Sequence, residues 1–280
     1  MDASFRRTAD WTGWLEAIEG ELASRGSESL ERTAMRLLDR ARLGIGEEVV
    51  DLGAGTGLIA LKAALTVGPS GRVTAVDADP GCLYVLASRA ADAGLRNLEV
   101  VRGTLEAIPI DSGSLDAALC RSAFSYSTDL ERAVSEARRV LRPRGRFSIF
   151  EPLLGELEWD GRIGGDEEEF RAMEQALKSS GGPRSVVRSL LRDAFTTGGF
   201  ECDSLLVHNV LSMKGASEEE IADEYLNDLP GGLSAFNVLK SAGFVEKRTV
   251  EVARAFSRAA SAGEIRGRLA CLFMWGSRRV

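Results

Sequence analysis

The sequence predicts an α/β fold built on a mostly parallel sheet with helices on both faces. Three observations predict it. Short apolar or β-branched runs alternate with helix-period segments from about residue 48 to residue 151, and consecutive parallel strands need crossover helices of this length. The first run, Glu47-Glu48-Val49-Val50-Asp51-Leu52, enters Gly53-Ala54-Gly55-Thr56-Gly57 and then a helical pattern, a strand, tight loop and helix in succession. The composition, 44% hydrophobic and 28% charged over 280 residues, is that of a globular chain able to bury a full core.

Each element follows in turn. Residues 1–26 form an N-terminal arm carrying Phe5, Trp11 and Trp14. Residues 27–43 place Leu30, Ala34, Leu37, Leu38 and Ala41 at helical spacing, with Ser27 or Ser29 as cap and Gly44 as stop. After the glycine loop, Leu58, Ile59, Leu61, Ala64 and Leu65 continue as a helix. Residues 72–77 make a second strand; Asp79 then caps a helix with Pro80 at its first position, ending at Gly94. Strands are expected at 97–102 and 114–120, separated by a loop with Pro109 and Gly113. Thr128 and Glu131 read as a capping box for a helix with Leu130, Ala133, Val134, Ala137, Val140 and Leu141 on its apolar face. Pro143 and Gly145 stop that helix, and the fifth strand begins at Gly145.

Beyond Glu151 the rhythm breaks. Residues 152–190 read as irregular to helical and acid-rich, and 191–211 as a helix ending near Gly198-Gly199 followed by a strand. Residues 217–262 read as helical, opened by a Ser217/Glu220 capping box, and 270–277 as a last strand. There is no internal repeat or low-complexity tract.

Charge and composition disfavour several function classes. With 35 basic and 42 acidic residues the net charge is −7, the wrong sign for gripping a phosphate backbone, so no nucleic-acid partner is expected. No apolar run reaches the roughly 18 residues that would span a bilayer, and no apolar stretch follows Arg6-Arg7 as a secretory signal would require. No membrane partner and a cytoplasmic location are therefore expected. Cys82, Cys120, Cys202 and Cys271 stand far apart with no CxxC spacing, so they read as reduced thiols, and no metal site is expected.

The residues after the first strand carry the chemistry. A dinucleotide fingerprint needs glycine where Leu58 stands, so a pyrophosphate cradle fits poorly. Gly53, Gly55 and Gly57 let the backbone turn sharply beside a ligand, Asp51 offers a carboxylate to a cationic ammonium, and Asp77 is placed for two ribose hydroxyls. On these residues the chain resembles the class I S-adenosylmethionine-dependent methyltransferases, over roughly 30–151. The resemblance implies a Rossmann-like sheet of seven strands with an antiparallel last strand, and S-adenosylmethionine as cofactor with S-adenosylhomocysteine as product. It also implies a cofactor site of Asp51, Gly53, Ala54, Gly55, Gly57, Asp77, Ala78, Thr104, Leu105 and Arg121. An acid is common in the family where Thr104 stands, so adenine recognition is assigned to the Thr104 hydroxyl or the backbone near Leu105. The Leu141-Arg142-Pro143-Arg144-Gly145 turn is similar to the family's turn before its fifth strand.

In this reading the core comprises 27–151, 191–211 and 263–280, with helical insertions at 152–190 and 212–262 covering a small-molecule acceptor whose O, N or C atom takes the methyl group. Arg121, Ser122, Ser125 and Tyr126 follow the fourth strand, where family members place residues beside the methyl. Tyr126 and the single histidine, His208, are the candidate acid–base groups; an alternative for His208 is a residue packed on a sheet face. Eight acids against one base in 151–170 read as a helix start or as an acidic entrance favouring cationic acceptors. A nicotinamide dehydrogenase, a nucleic-acid amino methyltransferase and a non-catalytic cofactor-binding subunit are the competing readings, and oligomeric state is open. The second competitor would carry an Asn-Pro-Pro-Tyr-like turn, where this chain has Arg121-Ser122-Ala123-Phe124.

Overall fold

In the computed structural model, residues 11–16, 28–227, 229 and 233–280 are described. Most of the N-terminal arm, with Phe5 and the Ser27 cap, lies outside the described residues, as does the side chain of Ser29. Five parallel strands follow the order expected of right-handed crossovers. They are β1 (Glu48–Leu52), β2 (Arg72–Asp77), β3 (Leu98–Arg102), β4 (Leu115–Arg121) and β5 (Leu141–Pro152), arranged β3-β2-β1-β4-β5. Being central, β1 and β4 are buried along most of their length, with Val49, Val50, Leu52, Ala117, Ala118, Leu119 and Cys120 in the core, as strands covered on both faces must be. Helices α1 (residues 11–16), α2 (Glu28–Ala41), α3 (Leu58–Val67), α4 (Pro80–Asp92) and α5 (Leu130–Val140) belong to this part of the chain.

The chain divides into two compact units. One contains Trp11–Glu151, Arg188–Leu206 and Leu272–Val280. Its core includes α7 (Arg188–Thr197) and the first half of β7 (Phe200–Leu211), where Phe195 stacks on Phe147 at 4.9 Å and Phe200 meets Phe147 edge-on at 4.7 Å. The other comprises, in its described part, Pro152–Val187 and Val207–Cys271. It contains β6 (Glu158–Gly161), α6 (Glu167–Lys178), α8 (Glu218–Leu226), α9 (Ala235–Ser241) and α10 (Glu246–Ala262). This unit has a core of its own, with Phe170 stacked on Phe256 at 5.3 Å and Tyr225 4.8 Å from Phe256. Within it the buried Glu174 accepts from Trp159 Nε1 (3.1 Å) and the Tyr225 hydroxyl (2.8 Å).

Several expectations are corrected. The sheet has eight strands among the described residues, not seven. The additional one is β6, in a stretch expected to lack strands. It pairs antiparallel with β8 (Ile265–Arg278), from Glu158↔Arg268 to Gly161↔Ile265. The last strand thus starts at Ile265 rather than 270, because Ile265 and Gly267 point inward and Arg266 and Arg268 outward, a period-2 pattern. The fifth strand begins at Leu141. Its register with β4 shifts between Leu115↔Leu141 and Ala117↔Arg146, so Pro143 and Gly145 occupy an irregularity of the strand. The cap of α5 is Asp129, whose carboxylate accepts from Arg132 N at 3.0 Å, while Thr128 turns its hydroxyl to Glu106.

Candidate active site

The site is built at the carboxyl ends of the parallel strands, and every candidate cofactor residue lies in the first unit. The turn after β1 is set by backbone bonds: Gly53 N and Ala54 N both donate to Val76 O, at 2.8 and 3.1 Å. Gly53, Gly55 and Gly57 take positive φ of 68°, 52° and 102°, the left-handed region that side chains avoid. At Gly53 a close approach adds to this, since a Cβ there would stand 2.3 Å from the Ala123 Cβ. At Gly55 a Cβ would meet Leu15 of α1 at 3.0 Å.

Asp77, at the end of β2, ties the loop to the next helix. Its Oδ2 accepts from Gly55 N at 2.8 Å and its Oδ1 from Asp79 N at 2.9 Å. Asp79 in turn caps α4, accepting from Gly81 N (2.8 Å) and Cys82 N (3.0 Å), with Pro80 at the first helical position. Gly103 N donates to Asp77 O at 3.0 Å, which fixes the start of the loop after β3. In that loop Thr104 is exposed and Leu105 half-buried, while Thr104 O accepts from Ala107 N in a turn. Glu106, the nearest acid, is committed elsewhere: it accepts from the Ser127 hydroxyl at 2.6 Å and Thr128 N at 2.9 Å, ordering the approach to α5.

Asp51 is only 1% exposed. Burial pushes its carboxyl up to about 7, a backbone N–H at Ala60 offsets part of this, the Asp77 carboxylate adds to it and Arg121 opposes it. Among the described residues its Oδ2 has no hydrogen-bond partner. A buried carboxylate oxygen without a donor is costly, and beside a glycine loop it suits a cationic ligand group. Arg121 lies with its guanidinium 5.6 Å from the Phe150 ring centre.

On the other side of the loop, α1 reaches three landmarks. Trp11 packs edge-on against Tyr126 at 5.0 Å and against Trp14 at 5.4 Å, Thr12 donates to Asp79 Oδ1 at 3.1 Å, and Leu15 covers Gly55. The structure thus brings Tyr126 into the same unit as the cofactor set. His208 belongs to the second unit, on β7, where it is exposed.

Sequence reasoning missed Glu151. It ends β5 with no solvent exposure and accepts from Ala123 N (2.9 Å), Phe124 N (2.8 Å) and the Ser125 hydroxyl (2.7 Å). Burial raises its carboxyl to about 7 against the pull of those donors. The available signal is a carboxylate placed directly after the apolar run Phe147-Ser148-Ile149-Phe150, a signal hidden when Glu151 is counted with the acids that follow. Four of the acids that follow are paired inside the second unit: Glu158 with Arg268, Glu167 with Arg171, and Asp166 and Glu169 with Arg248. The helix-start reading fits Glu167, Glu168 and Glu169, which form the first turn of α6.

Among the described residues no cluster of His, Cys, Asp or Glu could hold a metal ion, and no helix is long and apolar enough to cross a membrane.

Residues 50–149 match the family model described as a methyltransferase domain. The chain is 34% identical over 115 residues to a ubiquinone/menaquinone biosynthesis C-methyltransferase of Hahella chejuensis, covering 41% of this chain and 46% of that one. It is 32% identical over 190 residues to a malonyl-[acyl-carrier protein] O-methyltransferase of Geobacter sulfurreducens, covering 66% and 62%. The chain therefore spans less than two thirds of either relative's length. Its fold is that of a geranyl diphosphate methyltransferase solved in complex with S-adenosylmethionine, with a TM-score of 0.54 and 18% identity over 99% of this chain and 94% of that one.

Proposed function

We infer, from the premise that this chain belongs to the class I S-adenosylmethionine-dependent methyltransferases, that it methylates an O, N or C atom of a small-molecule acceptor. The observation that carries the reading is the pair of carboxylates flanking the glycine loop, with Asp51 Oδ2 buried and lacking a donor among the described residues. The donor set fits the cofactor. Asp51 would hold the ammonium end, and Asp77, each of whose oxygens accepts one N–H and keeps a free lone pair, would take the ribose hydroxyls. Gly53, Ala54, Gly55 and Gly57 would line the methionyl part, Ala78 the ribose, Thr104 and Leu105 the adenine, and Arg121 the edge nearest the acceptor. When bound, the cofactor supplies a sulfonium-activated methyl group open to in-line displacement.

The chain's own residues then have an orienting task. Holding donor and acceptor in line, with water excluded, provides most of the acceleration such a reaction needs. Tyr126, packed against Trp11, is the group we assign to the acceptor side and to any proton that must leave the nucleophile; the exposed His208 is the second candidate. Residues 152–190 and 212–262 we assign to acceptor selection, because loops that follow strand ends carry specificity in this architecture. S-adenosylhomocysteine is the expected product. The relatives named above are enzymes, which supports catalysis over a non-catalytic binding subunit. Four free thiols support a reducing compartment such as the cytoplasm.

The test is calorimetry with S-adenosylmethionine, followed by transfer of labelled methyl to a panel of quinol, carboxylic-acid and amine acceptors. Micromolar cofactor binding and label in one acceptor class are expected. Absence of binding would overturn the cofactor site, and binding without transfer to any class would favour the non-catalytic reading.

A further inference from the structure

Glu151 is fully buried, and its hydrogen bonds among the described residues go to three consecutive residues of the loop after β4. That loop is constrained from two further directions. Ser122 takes φ 57°, and its N–H donates to Phe150 O at 2.7 Å, on the strand that carries Glu151. Ala123 stands so close to Gly53 that a Cβ on the glycine would approach its own to 2.3 Å. Ala123 O accepts from Tyr126 N at 3.0 Å, closing the turn that presents Tyr126. One carboxylate thus fixes a segment that touches the cofactor loop at one end and carries the acceptor-side tyrosine at the other.

We propose that Glu151 is a positioning residue for methyl transfer, holding residues 122–126 against the glycine loop and so setting where Tyr126 stands relative to the transferable group. The inference rests on the methyltransferase reading given above. Glu151 is fully buried and its contacts go to the protein: Oε1 serves two backbone N–H groups and Oε2 a hydroxyl. The chemistry of the clamp explains the residue type. Two N–H groups can only donate, so they require an oxygen, whereas the Ser125 hydroxyl can rotate and accept. A glutamine can therefore keep Oε1 on Ala123 and Phe124 and donate to Ser125 with its amide. An alanine would strand the buried Phe124 N–H and the part-buried Ala123 N–H, and the segment would move to satisfy them.

The experiment compares wild type, Glu151→Gln, Glu151→Ala and Ser125→Ala. Three readouts are taken: cofactor affinity by calorimetry with S-adenosylmethionine, amide hydrogen exchange of residues 122–126, and kcat with the best acceptor of the quinol, carboxylic-acid and amine panel. Glu151→Ala should lose tenfold or more of the exchange protection at 122–126 and tenfold or more in kcat, with the cofactor Kd changed less than threefold. Glu151→Gln should recover most of both losses. If Glu151→Ala does not fold, Ser125→Ala, which removes one donor and leaves the rest, should give a three- to tenfold fall in kcat with Kd unchanged. Equal impairment of Kd and kcat, no rescue by glutamine, or unchanged kcat in a folded Glu151→Ala or Ser125→Ala variant would each overturn the proposal. Should no acceptor be methylated by wild type, the functional reading fails alone, and exchange with its glutamine rescue still decides whether Glu151 holds the loop.

Discussion

Replacing Asp51 by asparagine should stabilise the cofactor-free protein at alkaline pH while weakening cofactor binding. The magnitude follows from the burial of the carboxylate. Its pKa is raised from 3.8 to about 7, so in the unfolded chain it ionises roughly three pH units earlier than in the folded one. At about 1.36 kcal/mol per unit this amounts to an upper bound of about 4 kcal/mol. The sign runs against the folded state as pH rises. Below about 3.8 both states are protonated and the penalty is absent; it grows between about 3.8 and 7 and is complete above that. Asparagine resembles the protonated acid in charge and in presenting a buried donor, so variant and wild type should be equally stable near pH 4. At pH 8 the variant should lead by about 2 to 4 kcal/mol, relaxation and water entry accounting for the lower figure. At roughly 2 to 4 °C per kcal/mol for a domain of this size, that is a thermal midpoint about 5 to 15 °C higher. The assay is thermal unfolding at pH 4, 6 and 8, with calorimetric titration of S-adenosylmethionine at pH 8, where the variant should bind about tenfold or more weakly. Parallel stability profiles across this range would refute the claim that an ionised, uncompensated Asp51 is held in the apo site. A comparison of differences is needed because Glu151 titrates in the same range and is present in both proteins.

Three further outcomes are expected. Gly55→Val forces a branched side chain to φ 52° and toward Leu15, a strain of about 1 to 3 kcal/mol; cofactor binding should vanish by calorimetry while circular dichroism still reports a folded protein. Asp77→Ala removes a charge-assisted acceptor worth about 1.5 to 3 kcal/mol, so Kd should rise tenfold or more, with Asp77→Asn in between; a change below twofold would place the ribose elsewhere. Tyr126→Phe should lower kcat tenfold or more against a protonated acceptor, whereas His208→Ala should leave it within twofold, and the opposite ranking in a methyl-transfer assay would exchange their roles.

Local rules made the cofactor half legible. The glycine run has positive φ at Gly53, Gly55 and Gly57, and the Asp79-Pro80 pair is a helix start, because turn and cap chemistry depends on neighbours a few residues apart. Even the bond from Gly55 to Asp77, 22 residues away, follows from two adjacent parallel strands ending on the same edge. What escaped depends on pairing at long range. Residues 158–161 become a strand only because Arg266 and its neighbours offer an edge, and nothing in Glu158-Trp159-Asp160-Gly161 alone requires it. Glu151 escaped for the same reason: its partners lie 26 to 28 residues earlier, so its burial cannot be read from adjacent acids. The Thr128/Glu131 box failed one residue away from the truth because two capping residues stand side by side, and Glu106 claims the first.

The packing of Trp11 against both Trp14 and Tyr126 gives the molecule an optical reporter of its own. Two of its four tryptophans sit on a helix whose next turn covers Gly55, so a ligand entering the glycine loop must alter the polarity and quenching around those rings. Intrinsic emission can therefore follow occupancy of the loop in real time, without a label and before any acceptor is known. Trp14→Phe and Trp11→Phe would divide that signal between the two rings.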